Sequence, residues 1–191
     1  MERLGILGGT FDPVHVGHLA AACAARHQLH LTRVLLVVAG DPWQKRDVVV
    51  APAEARYDMV AAAVAGVDGL EASRLEIDRP GATYTIDTAT QLASPDRELT
   101  LIIGSDVAAS LDSWVRADEL RALVTLGVVN RDAGSPGSAP DGWRCRPVSM
   151  PRLDIASSDL RRRIATGEPV DFLVPPGALR ELRARNLYTA T

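Results

Sequence analysis

Apolar and polar positions along the chain follow two alternating rhythms. Arg3-Leu-Gly-Ile-Leu-Gly8 reads as a first strand, and Gly17 to Gln28 as a helix rich in alanine and leucine. Arg33 to Ala39 is a continuous apolar run, the pattern of a strand covered on both faces. Pro52 to Ala65 returns to helical spacing, with its proline near the first turn, where a missing N–H costs little. Leu70 to Leu75 predicts a third strand, Thr85 to Leu92 a helix, and Leu99 to Ile103 a fourth strand. Ala117 to Leu123 follows as a helix, Leu126 to Val129 as a fifth strand, and Ser158 to Thr166 and Pro176 to Arg185 as closing helices. Strands alternating with helices make right-handed βαβ units. The expected fold is therefore α/β: an open, mainly parallel sheet with helices on both faces and a C-terminal helical segment.

The chain has 191 residues and fits a single domain, 1–191. Asp132 to Gly142 concentrates Gly, Ser, Pro and Asp and reads as a surface loop. It does not read as a boundary, because the roughly 50 residues beyond it are too few to bury a core of their own. With 47% hydrophobic and 24% charged residues, disordered and fibrous classes are excluded. A net charge of −3 argues against a broad nucleic-acid surface. Cys23 and Cys145 stand far apart with no C-x-x-C spacing, which suits a reducing compartment. The start lacks a signal-peptide layout, and the Val34–Ala39 run is far too short to cross a bilayer. The expectation is a cytoplasmic protein without membrane or nucleic-acid partners, and the sequence is compatible with a homo-oligomer.

Open parallel sheets of this Rossmann-like kind bind ligands at the carboxyl ends of their strands. After the first strand the chain reads Gly8-Gly9-Thr10-Phe11-Asp-Pro-Val-His15-Val-Gly17-His18. Adjacent glycines let the backbone approach a ligand without an intervening Cβ. Exposed N–H groups at the following helix start favour an anion, and His15 and His18 would add imidazole donors to the same site. No G-K-[ST] loop or full G-x-G-x-x-G fingerprint is present, which argues against P-loop kinases and dinucleotide oxidoreductases of those types. His27 and His30 have the same spacing but no such setting and are given no role.

A second anion site is expected at Ile155-Ala-Ser157-Ser158-Asp-Leu-Arg161-Arg-Arg163. Ser157 or Ser158 would cap a helix, and arginines near a helix start conflict with the dipole unless an anion is bound. Of the three, Arg161 is assigned the anion, while Arg162 and Arg163 are read as a solvated face.

Gly8 to Leu19 resembles the signature of the nucleotidylyltransferase superfamily, (H/T)-x-G-H after the first strand, and 155–163 is similar to its I-S-S-T-x-x-R motif, with Ala156 and Ser158 as departures. Within it the chain resembles bacterial nicotinate mononucleotide adenylyltransferases. Ala82-Thr-Tyr84-Thr85-Ile-Asp-Thr88 looks like that family's S-Y-T-[IV]-[DE]-T segment, and Gly40-Asp-Pro-Trp43-Gln44-Lys45 occupies its P-P-H-K loop, with Gln44 replacing histidine. The resemblance implies AMP transfer from ATP to nicotinate mononucleotide, giving deamido-NAD and pyrophosphate, with Mg²⁺ accompanying the triphosphate. It implies catalytic roles for His15, His18 and Arg161. ATP-binding roles fall on Gly8, Gly9, Thr10, Phe11, Gly17, Gly104, Asp106, Ser157 and Ser158, and acceptor-binding roles on Lys45, Tyr84, Thr85 and Trp114. Lys45 is the one lysine beside twenty arginines. Stacking of Trp114 on a pyridinium ring is physically reasonable. The 40–48 loop is expected to reorder when substrate binds. The alternatives are phosphopantetheine or nicotinamide mononucleotide adenylyltransferase, or a nucleotide-binding regulatory module without turnover.

Overall fold

The computed structural model describes residues 1–41, 51–130 and 140–189. Six strands form one sheet: β1 (Glu2–Gly9), β2 (Arg33–Val38), β3 (Leu70–Ser73), β4 (Arg97–Gly104), β5 (Val124–Asn130) and β6 (Cys145–Ser149). Their order is β3-β2-β1-β4-β5-β6, and every pairing is parallel. The helices are α1 (Val16–Gln28), α2 (Ala53–Val64), α3 (Thr85–Leu92), α4 (Ser105–Ala108), α5 (Ala117–Leu123), α6 (Ser157–Ala165) and α7 (Pro176–Ala184), with a 3₁₀ turn at Leu111–Ser113. Among the described residues no helix is long and apolar enough to cross a membrane.

The pleat divides the apolar residues between two cores. Val34, Leu36 and Val38 of β2 face one side, where α1, α2, α6 and α7 contribute Ala22, Met59, Leu160 and Leu182. Leu35 and Val37 face the other side with Leu4, Ile6, Leu99, Leu101 and Ile103, covered by Ile86 of α3 and Leu120 of α5. Both faces are dry because helices cover both, which is why the central strands read as unbroken apolar runs. Truncating Leu36 or Leu126, each 0% exposed, to alanine would cost about 2–5 kcal/mol.

The elements read from the sequence form within a residue or two of their expected limits. Among the described residues the sheet nevertheless has six strands rather than five. The additional β6 carries Arg146 and Pro147, and only Val148 of the strand is buried. An edge strand can tolerate proline and polar side chains, so it leaves no apolar run to find. The third strand also ends at Ser73 rather than Leu75.

The order 3-2-1-4-5-6 reverses direction between β1 and β4. In open α/β sheets ligands bind at such a reversal, outside the carboxyl ends of the strands. Gly9 ends β1 and Gly104 ends β4, so the two segments with ligand-binding patterns share this end of the sheet.

Candidate active site

His15 is the N-cap residue of α1 and is 6% exposed. Its backbone is extended, and a reciprocal capping arrangement joins it to His18 at the third helical position. The His15 N–H donates to His18 Nδ1 at 3.2 Å. That bond makes Nδ1 an acceptor, so the proton of a neutral His18 ring sits on Nε2. The imidazoles stack with centroids 3.7 Å apart, and Phe11 packs edge-on against His18 at 4.9 Å. The Phe11 ring, expected to meet the nucleotide, is buried at 2% exposure.

The glycines fit this arrangement closely. A Cβ at Gly17 would come within 3.0 Å of His15 Nδ1, and one at Gly9 within 2.8 Å of the Phe11 ring. A Cβ at Gly8 would meet nothing within 4 Å, so open space lies directly over that backbone.

Helix α6 brings Arg161 to the same loop. Its Nη1 donates to the Asp12 carbonyl at 2.8 Å and lies 3.5 Å from Asp12 Oδ2. Ser157 Oγ donates to the Pro13 carbonyl at 3.0 Å. The helix start differs from the sequence expectation. Ala156 is the N-cap, Ser157 is the first helical residue, and Ser158 is exposed. The serine hydroxyl is therefore spent on tying α6 to the post-β1 loop rather than on capping its own helix. The expected dipole conflict also disappears, since Arg162 and Arg163 lie in the last turn, where cations are favoured. Both pair with Asp159 and Glu168, as a solvated face should.

The segments expected to bind the acceptor are held together by bonds between them. Tyr84 is the N-cap of α3 and Thr85 its first residue. The Thr83 hydroxyl reaches the Asp41 carbonyl at 3.5 Å, linking this segment to the chain after β2. Asp87 of α3 pairs with Arg116 at 3.1 Å, drawing in the segment that carries Trp114. Trp114 is half-buried: it packs against the second core and lines a depression of about 430 Å³ with Arg116, Glu119 and Arg121. Behind it Trp143 Nε1 donates to Asp112 at 3.1 Å, steadying the turn from below. Asp106 sits exposed in the first turn of α4, and Gly104 has no Cβ to collide with its carboxylate. Trp43, Gln44 and Lys45 lie outside the described residues.

Residues 6–163 match the model of the cytidylyltransferase-like family. The chain belongs to this family. It is 40% identical over 99% of its length to the probable nicotinate-nucleotide adenylyltransferase of Acidothermus cellulolyticus, covering 95% of that protein. A protein of the same name from Nocardioides is 44% identical, with 95% of this chain and 92% of the relative covered. In fold it is similar to the nicotinic acid mononucleotide adenylyltransferase of Plasmodium falciparum complexed with NaAD, with a TM-score of 0.79 at 18% identity. That match covers 98% of each chain.

Three residues packed together at the post-β1 loop escape sequence reasoning: Asp12, Arg56 and Tyr188. Asp12 is 2% exposed, and its Oδ1 accepts from the Ala51 N–H at 3.1 Å and the Tyr188 hydroxyl at 2.6 Å. Tyr188 comes from the end of the chain, 176 positions away. Burial and the neighbouring Asp12 push its hydroxyl well above the usual phenol range. Arg56 does leave a trace in the sequence, as a charged residue in register with Met59 and Val60 on the apolar stripe of α2.

Proposed function

We propose that this chain transfers AMP from ATP to nicotinate mononucleotide, forming deamido-NAD and pyrophosphate. The observation that carries the reading is the convergence of His15, His18 and Arg161 on the single loop after β1. The names of relatives about 40% identical over nearly the whole chain support the choice of acceptor.

The chemistry follows from the groups present. The acceptor's 5′-phosphate is already a nucleophile near neutral pH, so no general base is needed. The protein's work is to align two anions and neutralise charge that builds on the α-phosphate and the leaving pyrophosphate. With Nδ1 engaged by the His15 N–H, His18 offers Nε2–H to the α-phosphate. His15, stacked against it, serves the neighbouring phosphates, and Arg161 serves the β- and γ-phosphates. Open space over Gly8 leaves room for nucleotide against the backbone.

Mg²⁺ fits this donor set as a passenger on the triphosphate, where it would neutralise phosphate charge. The carboxylate of the same loop, Asp12, is buried and committed to Ala51, Tyr188 and Arg161, which leaves the phosphates as the natural ligands. The nicotinate carboxylate accepts hydrogen bonds but donates none, so the N–H groups at the start of α3 favour it over the amide. Trp114 supplies a stacking face beside it, and Lys45 remains assigned to the acceptor. We assign the enzyme to the cytoplasm.

The test is pyrophosphate release on mixing the protein with ATP, Mg²⁺ and each of nicotinate mononucleotide, nicotinamide mononucleotide and phosphopantetheine. Turnover with a higher kcat/KM for the nicotinate compound is the expected result. Preference for either other acceptor overturns the substrate assignment, and absence of turnover with all three favours a regulatory module.

A further inference from the structure

A buried guanidinium lies beneath the loops that follow β1 and β2. Arg56 is 1% exposed, on the apolar side of α2. Its three nitrogens donate to main-chain carbonyls of three separate segments. Nε reaches Ala51 at 3.1 Å, Nη1 reaches Thr10 at 2.7 Å, and Nη2 reaches Gly40 at 3.2 Å. Thr10 follows β1 in the loop that leads to His15. Gly40 follows β2 on the chain that leads toward Lys45. Ala51 begins the approach to α2.

Asp12 stands beside this fork as its counter-charge. Burial disfavours the charged guanidinium, and the Asp12 carboxylate opposes that effect. Asp12 in turn is held by the Ala51 N–H and by the Tyr188 hydroxyl. A buried ion group of this kind rarely out-stabilises well-packed apolar residues of the same volume. Its gain is geometric, because a planar fork fixes the relative positions of three carbonyls.

We propose that Arg56, backed by Asp12 and Tyr188, is a positioning unit that sets the distance between the post-β1 and post-β2 loops. It thereby aligns the α-phosphate of the nucleotide with the attacking phosphate of the acceptor. This rests on the adenylyl-transfer reading above. Arg56 donates to protein carbonyls and acts through them. A shift of a fraction of an ångström between the loops leaves each substrate bound but spoils the in-line approach.

The experiment compares the parent with Arg56→Lys and Tyr188→Phe by steady-state kinetics, ATP binding and thermal melting. Lysine keeps the charge but cannot reach three carbonyls from one plane. A folded Arg56→Lys protein should bind ATP within about threefold of the parent and turn over about 100-fold more slowly. Tyr188→Phe removes one hydroxyl behind Asp12 and should lower kcat about tenfold with ATP binding preserved. If Arg56→Lys does not fold, Tyr188→Phe decides alone. A kcat within about threefold of the parent in the deciding variant overturns the proposal, as does a rate loss matched by an equal loss of ATP affinity. An inactive parent sinks the adenylyl-transfer reading and this proposal with it, whereas an active parent with an equally active folded Arg56→Lys sinks the proposal alone.

Discussion

Arg161 donates through Nη1 to the main-chain carbonyl of Asp12 at 2.8 Å, across 149 positions of sequence. The bond holds the guanidinium of α6 against the loop that ends in the stacked histidines. The planar fork can keep this carbonyl and still face a phosphate, which an ammonium cannot do in the same geometry. Arg161→Ala is expected to lower kcat/KM for ATP about 100-fold, and Arg161→Lys to recover little of it. Pyrophosphate-release kinetics check this, and a lysine variant within a few-fold of the parent would count against the assignment.

His18 has two duties that separate in measurement. As the partner of the His15 N–H it caps α1, and in the proposed reaction its Nε2–H is the donor assigned to the α-phosphate. His18→Ala should destabilise the fold by about 1 kcal/mol through the lost cap. Turnover should fall about 100-fold, equivalent to about 3 kcal/mol. Thermal melting reads the first and steady-state kinetics the second. An unchanged kcat would remove His18 from the reaction.

Gly8 and Gly17 predict opposite failures. A methyl at Gly8 enters open space, so Gly8→Ala should fold with an unchanged melting temperature while raising KM for ATP about tenfold. A methyl at Gly17 presses on His15 Nδ1, so Gly17→Ala should displace that ring and lower kcat about tenfold. The helix start itself gains up to about 1 kcal/mol from alanine, which keeps the Gly17 variant folded. Equal kinetic effects from the two substitutions would contradict this division.

Glu76 makes stability pH-dependent. Burial lifts its carboxyl above the ordinary value of 4.5, although the Thr88 hydroxyl and Arg79 pull the other way. The Thr88 hydroxyl donates to Glu76 Oε1 at 2.7 Å. With the folded pKa above the unfolded one, the folded state binds the proton more tightly. This contribution to stability is full below the unfolded pKa and is lost as pH rises through the folded one. Glu76→Gln keeps an acceptor for Thr88 and removes the ionisation. Its melting temperature should therefore gain on the parent as pH rises from about 4.5 toward neutrality. A difference that stays flat with pH would refute the account.

Much of this molecule is written locally. The central strands declare themselves because two-sided burial demands an unbroken apolar run such as Val34 to Val38. The Gly8–His18 segment does so because close backbone approach and a helix start need those residue types at that spacing. Local pattern misleads where a side chain is used at a distance. Ser157 carries the look of a cap, but its hydroxyl serves the Pro13 carbonyl and Ala156 takes the N-cap position.

The sequence by itself therefore determined the α/β alternation, the glycine-rich turn and the candidacy of His15, His18 and Arg161. Only the tertiary structure decided that Arg161 meets Asp12, that Tyr188 closes on the same carboxylate, that Arg56 spans three carbonyls and that β6 completes the sheet. Hydrophobic periodicity and turn chemistry act within a few residues and leave a readable rhythm. A hydrogen bond between distant segments has no period, and its partners become neighbours only when the sheet and its helices have packed.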